Sequence, residues 1–287
     1  MHVLTSVIRR TLALVAGALL AMATVAAIAA DAPGRAAGTF RSQAIMMPVN
    51  SAMAFRGKSA FDKSDVIVIA VTNADMRVDW LAAFVDRRRA IEQRVKGNDI
   101  VVVFFEFKPD GAYRGLSYYF KAGNGCGYCG GGVMSSVRMA NGRLAGSLKA
   151  SEGTREMDIA LNVPLTSDDH GAALPPDGGA PGKAYLGYHD ALVKRDAKAM
   201  REFLTDETRK ALAESERTGK LAADFEALAR DHPTKAVQIT KGFGNDKRAV
   251  LLIAGESGAL RLVGEVTLVN EGGTWRVDDE LTDVATQ

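Results

Sequence analysis

The sequence predicts an α+β chain. A mostly-β first domain, sandwich or barrel-like with one covering helix, is followed by a domain whose helices gather on a curved antiparallel sheet. Three observations carry this. Val66 to Val71 and Ile100 to Phe105 are continuous β-branched and aromatic runs, the pattern of strands buried on both faces. Ser167 to Gly182 holds three prolines and four glycines, the composition of a linker. Beyond it the chain runs helices first and strands after.

From the beginning of the chain, residues 1–29 read as a signal peptide. Arg9 and Arg10 give a positive start, Leu12 to Ile28 an apolar run, and Ala27-Ile28-Ala29 a small-x-small cleavage pattern. A membrane anchor is the alternative, because 17 uncharged residues approach the lower limit of a spanning helix. The arginine pair also raises twin-arginine export, although Ile8 precedes it where Ser or Thr belongs. No cysteine precedes Cys126, so lipid attachment near the cleavage site has no acceptor. The alanine-rich run points to a bacterial periplasmic or secreted protein, with no stable membrane span after cleavage. Residues 30–38, rich in Ala, Gly and Pro, read as a flexible lead-in.

The first domain is expected over residues 39–166. Between its two buried strands, Val78, Leu81, Val85 and Val95 fall near helical spacing, with Asp75 or Asp79 as a cap. Val133 to Met139 and Leu144 to Lys149 flank Asn141-Gly142, whose residues suit the two positive φ angles of a type I′ turn. Arg155 to Val163 then alternates, with Met157, Ile159, Leu161 and Val163 inward. After the linker, 167–182, the second domain spans 183–287. Tyr185, Tyr188, Leu192 and Val193 mark one helix face. Asp196 caps a segment through Leu204, and Leu221, Phe225 and Leu228 mark a helix ending before Pro233. Strands are expected at Ala236 to Thr240, Ala249 to Ala254, Leu260 to Val269 and Thr274 to Asp278, the last two joined through Glu271-Gly272-Gly273.

The stretch Tyr185 to Leu204, followed by helices and then by strands ending Gly272-Gly-Thr-Trp-Arg-Val-Asp278, resembles the NTF2-like superfamily. The resemblance covers residues 183–287 and implies a cone, in which a long first helix crosses a curved sheet and a Trp-x-Val strand closes it. The superfamily holds isomerases, dehydratases, transport adaptors and binding modules, so the fold does not select a function. It also implies dimerisation through the sheet and, for its enzymes, a His and Asp pair as acid and base. On that footing His189 is the candidate catalytic residue, and Tyr185, His189 and Trp275 are the candidate ligand-binding residues. A carboxylate partner for His189 is not identifiable, since adjacent Asp190 points about 100° away on a helix. His170 lies in the linker and His232 precedes Pro233, and neither marks a site.

Cys126-Gly-Tyr-Cys129 resembles the motif of thioredoxin-fold disulfide isomerases, but glycines surround it where a helix would have to begin. The plainer expectation is a local disulfide between Cys126 and Cys129 in an oxidising compartment. Zinc would need two further ligands, and none lies near in sequence; no metal site and no cofactor are expected. Arg87, Arg88 and Arg89, with Arg94, make the first helix basic. Three consecutive arginines fan over about 200° of a helix, which suits a solvated face or, alternatively, an anionic partner.

The chain carries 36 basic and 34 acidic residues, a formal net charge of +2 that leaves with Arg9 and Arg10. That argues against nucleic acid. Residues 39–166 hold a net +5, the linker −3 and residues 183–287 −2, so an anionic partner would meet the first domain. The reading that follows is an exported, non-enzymatic module that binds an envelope protein or a small apolar ligand. The alternatives are an acid–base enzyme using the cone and a thiol oxidoreductase using Cys126 and Cys129.

Overall fold

The computed structural model describes residues 34–42, 45–75, 81–96, 99–120, 123–125, 132–152 and 155–285. The signal-peptide expectation and the Cys126–Cys129 pair lie outside the described residues. The first half runs β1 (Arg35–Ser42), β2 (Ile45–Val49), β3 (Ser51–Lys58), β4 (Asp65–Thr72), α1 (Arg87–Lys96), β5 (Val102–Phe107), β6 (Tyr113–Phe120), β7 (Gly123–Gly125), β8 (Met134–Ser135), β9 (Arg138–Ala140), β10 (Arg143–Glu152) and β11 (Arg155–Pro164). The second runs β12 (Ala172–Ala173), α2 (Gly179–Val193), α3 (Ala197–Arg201), α4 (Asp206–Arg217), α5 (Leu221–Asp231), β13 (Lys235–Gly244), β14 (Arg248–Ser257), β15 (Leu260–Glu271) and β16 (Thr274–Val284).

The fold class expected from sequence is corrected. Strands make up 51% of the described residues and helices 23%, so the fold is mostly β rather than α+β, with three antiparallel sheets. The single covering helix expected in the first half is not upheld either. Leu81 and Ala82 are already helical, and a turn and bend through Asp86 separate them from α1. The break has an identifiable cause: the amides of Val85 and Asp86 are bound from outside by Glu265, while the Asp86 side chain accepts the Arg89 amide and caps α1. Val85, expected inward, is 40% exposed, and the neighbouring Phe84 fills the core instead.

β1 to β3, β6, β7 and β12 are strands beyond those expected from the sequence. The expected lead-in is strand from Arg35 onward, and β1 carries no local signal because it is built largely of Ala, Gly, Thr and Arg. Its conformation comes from pairing with β11, for example Ala37 with Ala160. Elsewhere the periodicities hold in part: Val193 and Leu228, expected on the packed faces of their helices, are 44% and 43% exposed. β11 alternates with Met157, Ile159, Leu161 and Val163 buried, and Asn141 and Gly142 turn the hairpin with φ of 49° and 69°.

One sheet is ordered β2-β1-β11-β10-β8 with β9 also on β10, the next β3-β4-β5-β6-β7 and the third β12-β13-β14-β15-β16. The first two pack face to face. Phe40, Met47, Leu148, Ile159 and Val163 of one meet Ile67, Ile69, Val103 and Phe105 of the other. The opposite face of the second sheet, with Phe55, Val68 and Phe104, is covered by Leu81, Phe84, Ile91 and Val95. Burial on both sides explains the unbroken apolar runs of β4 and β5.

The outer side of α1 meets the third sheet. Glu265 of β15 accepts the amides of Val85 and Asp86 at 2.7 and 2.9 Å, Arg89 donates to the Val263 carbonyl at 2.8 Å, and Gln93 to that of Thr282 at 2.6 Å. The far face of the third sheet carries α2 to α5, around Tyr185, Leu192, Leu204, Leu251, Val266 and Val277. The order through the molecule is therefore sheet, sheet, α1, sheet, helices.

The tract 167–182 is bound to both halves. The Thr166 amide donates to Ala54 O, Asp168 pairs with Arg56 and Arg87, and β12 adds to β13. Gly171, at φ 93°, lies so close to β13 that a Cβ there would sit 2.2 Å from the Gly244 carbonyl oxygen. α2 begins at Gly179, inside the expected linker.

Candidate functional site

Two groupings of polar residues stand out, one in the helical layer and one at the seam between halves. The first is built by α2, the end of α5 and β16. The α2 spacing puts Tyr185, Tyr188 and Leu192 on the buried face, with His189 half-buried beside them. His232 follows α5, and the chain's extended conformation there turns its ring inward, where it is buried. Glu280 comes from β16. Asp279 pairs with Thr267 and Val277 with Leu268, so Asp278 is an extra residue, a β-bulge. The bulge shifts the alternation, and Glu280 lies on the same face as Val277, toward the helices.

These side chains form a hydrogen-bonded chain. His232 Nδ1 lies 2.7 Å from Glu280 Oε1, and His232 Nε2 lies 2.7 Å from His189 Nδ1. Tyr185 donates weakly to the same Oε1 at 3.5 Å. With both rings neutral, Glu280 accepts from His232, His232 accepts from His189, and the outer nitrogen of His189 is left as an acceptor. Burial first, then the neighbouring His232 ring, with Asp190 acting in the other direction, set His189 at about 4, well below an ordinary histidine. Burial and Glu280 push the Tyr185 and Tyr188 hydroxyls far above the usual range. Glu280 Oε2 is buried without a hydrogen-bond partner.

Of the three residues expected to share a cone, Tyr185 and His189 are joined by this network. Trp275 is partly buried against the same apolar cluster, five positions before Glu280 on β16. His232 and Glu280 were missed. The available signal was Asp278-Asp279-Glu280, three carboxylates in a row within a strand, one of which has to face inward or be displaced by a bulge.

The expected basic surface is largely consumed inside the protein. Arg87 is buried, with its guanidinium on Asp168 at 2.7 Å and on the Ser167 carbonyl at 2.5 Å. Arg88 lies over the Phe104 ring and donates at 2.6 Å to Glu106, a fully buried carboxylate also held by Ser59 and the Ala60 amide. Arg89 reaches β15, as above. Arg94 is exposed. A helix face that looked solvated is thus a set of internal cations, with partners many residues away in sequence.

The second grouping is an open cleft of about 350 Å³ at the seam. Ala82, Ala83, Thr166, Ser167, Asp169 and His170 line one side, and Asn245, Arg248, Ala249 and Val250 the other. Burial and Arg87 hold the His170 pKa down, and its ring is hydrogen-bonded to the Ala83 backbone. Among the described residues no group of three or more His, Cys, Asp or Glu side chains suits a metal ion, and no helix is long and apolar enough to cross a membrane. Comparison with known families finds no matching family model, and comparison with curated proteins finds no match.

Proposed function

We propose that this is an exported two-unit binding protein of the bacterial envelope, and that its ligand is a small polar molecule rather than the apolar one expected from sequence. The observation that carries the reading is the seam cleft, where backbone and side-chain polar groups from two separately built halves converge over an apolar floor. The polar lining is what moves the ligand class away from apolar. A ligand-observed NMR screen with a polar fragment library tests it. Hits that disappear when Ala83→Trp fills the cleft support the reading, and a silent screen with folded protein refutes it. Export is tested by amino-terminal sequencing of the protein recovered from the periplasm, which should begin at Ala30.

The Glu280–His232–His189 chain favours a second reading, acid–base chemistry at His189. The carboxylate orients one imidazole, which orients the next, and the outer ring, held at about 4, stays unprotonated at neutral pH with a free acceptor nitrogen, although it is a weaker base than an ordinary histidine. The identified cavity lies elsewhere, which is why this reading comes second. Turnover of an activated ester lost in His189→Ala and retained in His170→Ala would reverse the order.

A further inference from the structure

We propose that the seam cleft recognises the hydroxylated ring of a saccharide. This rests on the binding reading above and names the ligand. The argument is the state in which the fold leaves each polar group. Asn245 Oδ1 already accepts the amides of Lys247 and Arg248 at 2.9 and 3.0 Å, so the side chain presents its NH2 donors. Asp169 Oδ1 accepts the Gly171 amide at 2.9 Å, which leaves Oδ2 as an acceptor. Ser167 Oγ accepts the Asp169 amide at 3.1 Å, which leaves its hydroxyl hydrogen to donate. His170 is neutral, because burial and Arg87 disfavour its charged form, and with its N–H on the Ala83 backbone the other ring nitrogen is left as an acceptor.

Fixed donors therefore alternate with fixed acceptors, and the lining holds one carboxylate, Asp169, and one guanidinium, Arg248. An anion would face Asp169 and a cation would face Arg248. A hydroxyl donates and accepts at once, so neighbouring ring hydroxyls satisfy such a lining without an unpaired charge. Ala82, Ala83, Ala249 and Val250 supply a low apolar surface for the C–H face of a sugar ring. A volume of about 350 Å³ lies at the lower end of ligand clefts and limits the occupant to one or two rings. The turns that set these groups are fixed by the strap: Gly171 and β12 hold Asp169 and His170 against β13, whose end carries Asn245.

The test is saturation-transfer NMR and calorimetry on the purified protein with glucose, galactose, N-acetylglucosamine and its disaccharide, with glutamate and inorganic phosphate as charged controls. At least one sugar should bind with micromolar to millimolar affinity. Asp169→Asn, which keeps the acceptor for Gly171, should weaken it about tenfold or more, and Ala83→Trp should abolish it. Sugar binding unaffected by Ala83→Trp overturns the assignment to this cleft. Glutamate or phosphate binding that Ala83→Trp blocks overturns the saccharide while leaving the binding reading intact. If no probe binds, the saccharide is refuted, and the binding reading falls with it only if the wider fragment screen is also silent.

Discussion

Acidification should destabilise this protein through His189 by an amount the structure bounds. The ring sits at about 4 in the folded state against 6.5 for an ordinary histidine. The folded pKa is depressed, so the unfolded chain takes up a proton below pH 6.5 while the folded chain resists until about pH 4. Stability from this group is complete above 6.5 and is lost as pH falls through that window. At about 1.36 kcal/mol per unit the ceiling is roughly 3 kcal/mol. The ring is half-exposed, and solvent screening reduces this to about 1 to 1.5 kcal/mol. Other carboxylates titrate in the same range, so the measurement is a difference. Urea unfolding of wild type and of His189→Gln, which keeps a hydrogen-bonding partner for His232, should be run from pH 7.5 to 4.5. The advantage of wild type over the variant should shrink by about 1 to 1.5 kcal/mol, or about 2–6 °C in Tm for a chain of this size. A difference that stays constant with pH, or grows on acidification, refutes the reasoning.

Four further outcomes are expected. Arg88→Met strands the buried Glu106 carboxylate and should cost about 3–5 kcal/mol in urea unfolding; the double variant Arg88→Met/Glu106→Leu should recover part of that. Gly171→Ala forces a Cβ against the Gly244 carbonyl at a positive φ, so it should cost at least about 1–2 kcal/mol and open 166–178 to limited proteolysis. Glu265→Ala removes the acceptor of two seam amides, lowering stability by about 1–3 kcal/mol and speeding hydrogen exchange at Val85 and Asp86. Burial raises the Glu265 pKa, so wild type gains stability from this group as pH falls toward 4.5, and the deficit of the variant should widen there. Finally, Cys126 and Cys129 in protein recovered from the periplasm should resist alkylation until reduced, and rapid labelling without a reductant would argue for free thiols.

What could be read in the sequence was what neighbours in the chain decide. β4 and β5 are apolar at nearly every position because both faces are covered, and that leaves a mark in six consecutive residues. Asn141-Gly142 announces a turn because the two φ angles are a property of those residues alone. β1, with two adjacent alanines and a glycine, is a strand only because β11 and β2 flank it, and no local rule supplies them. The arginines of α1 show the same limit in the candidate sites. Nothing within the helix tells that Arg87 finds Asp168 or that Arg89 finds Val263, 81 and 174 positions away.

Glu280 is the sharper case, because a local rule applied to it gives the opposite answer. Counting by twos from buried Val277 puts Asp279 inward and Glu280 outward. The extra residue at Asp278 reverses this, and only the reversal lets one carboxylate oxygen meet His232 and Tyr185. A strand with a single inserted residue can thus convert an apparent surface acid into the anchor of a buried histidine pair. Glu280→Ala removes the acceptor, so the protein should lose about 1–3 kcal/mol, and the His232 Nδ1 proton, observable by NMR in the wild type when bound to a carboxylate, should exchange rapidly with water. Deleting Asp278, by contrast, restores regular pairing with β15 and leaves Glu280 two positions from Val277, opposite Val266 and still facing the helices. In that variant the proton should stay protected, and its loss would show that the extra residue does more than set the face on which Glu280 lies.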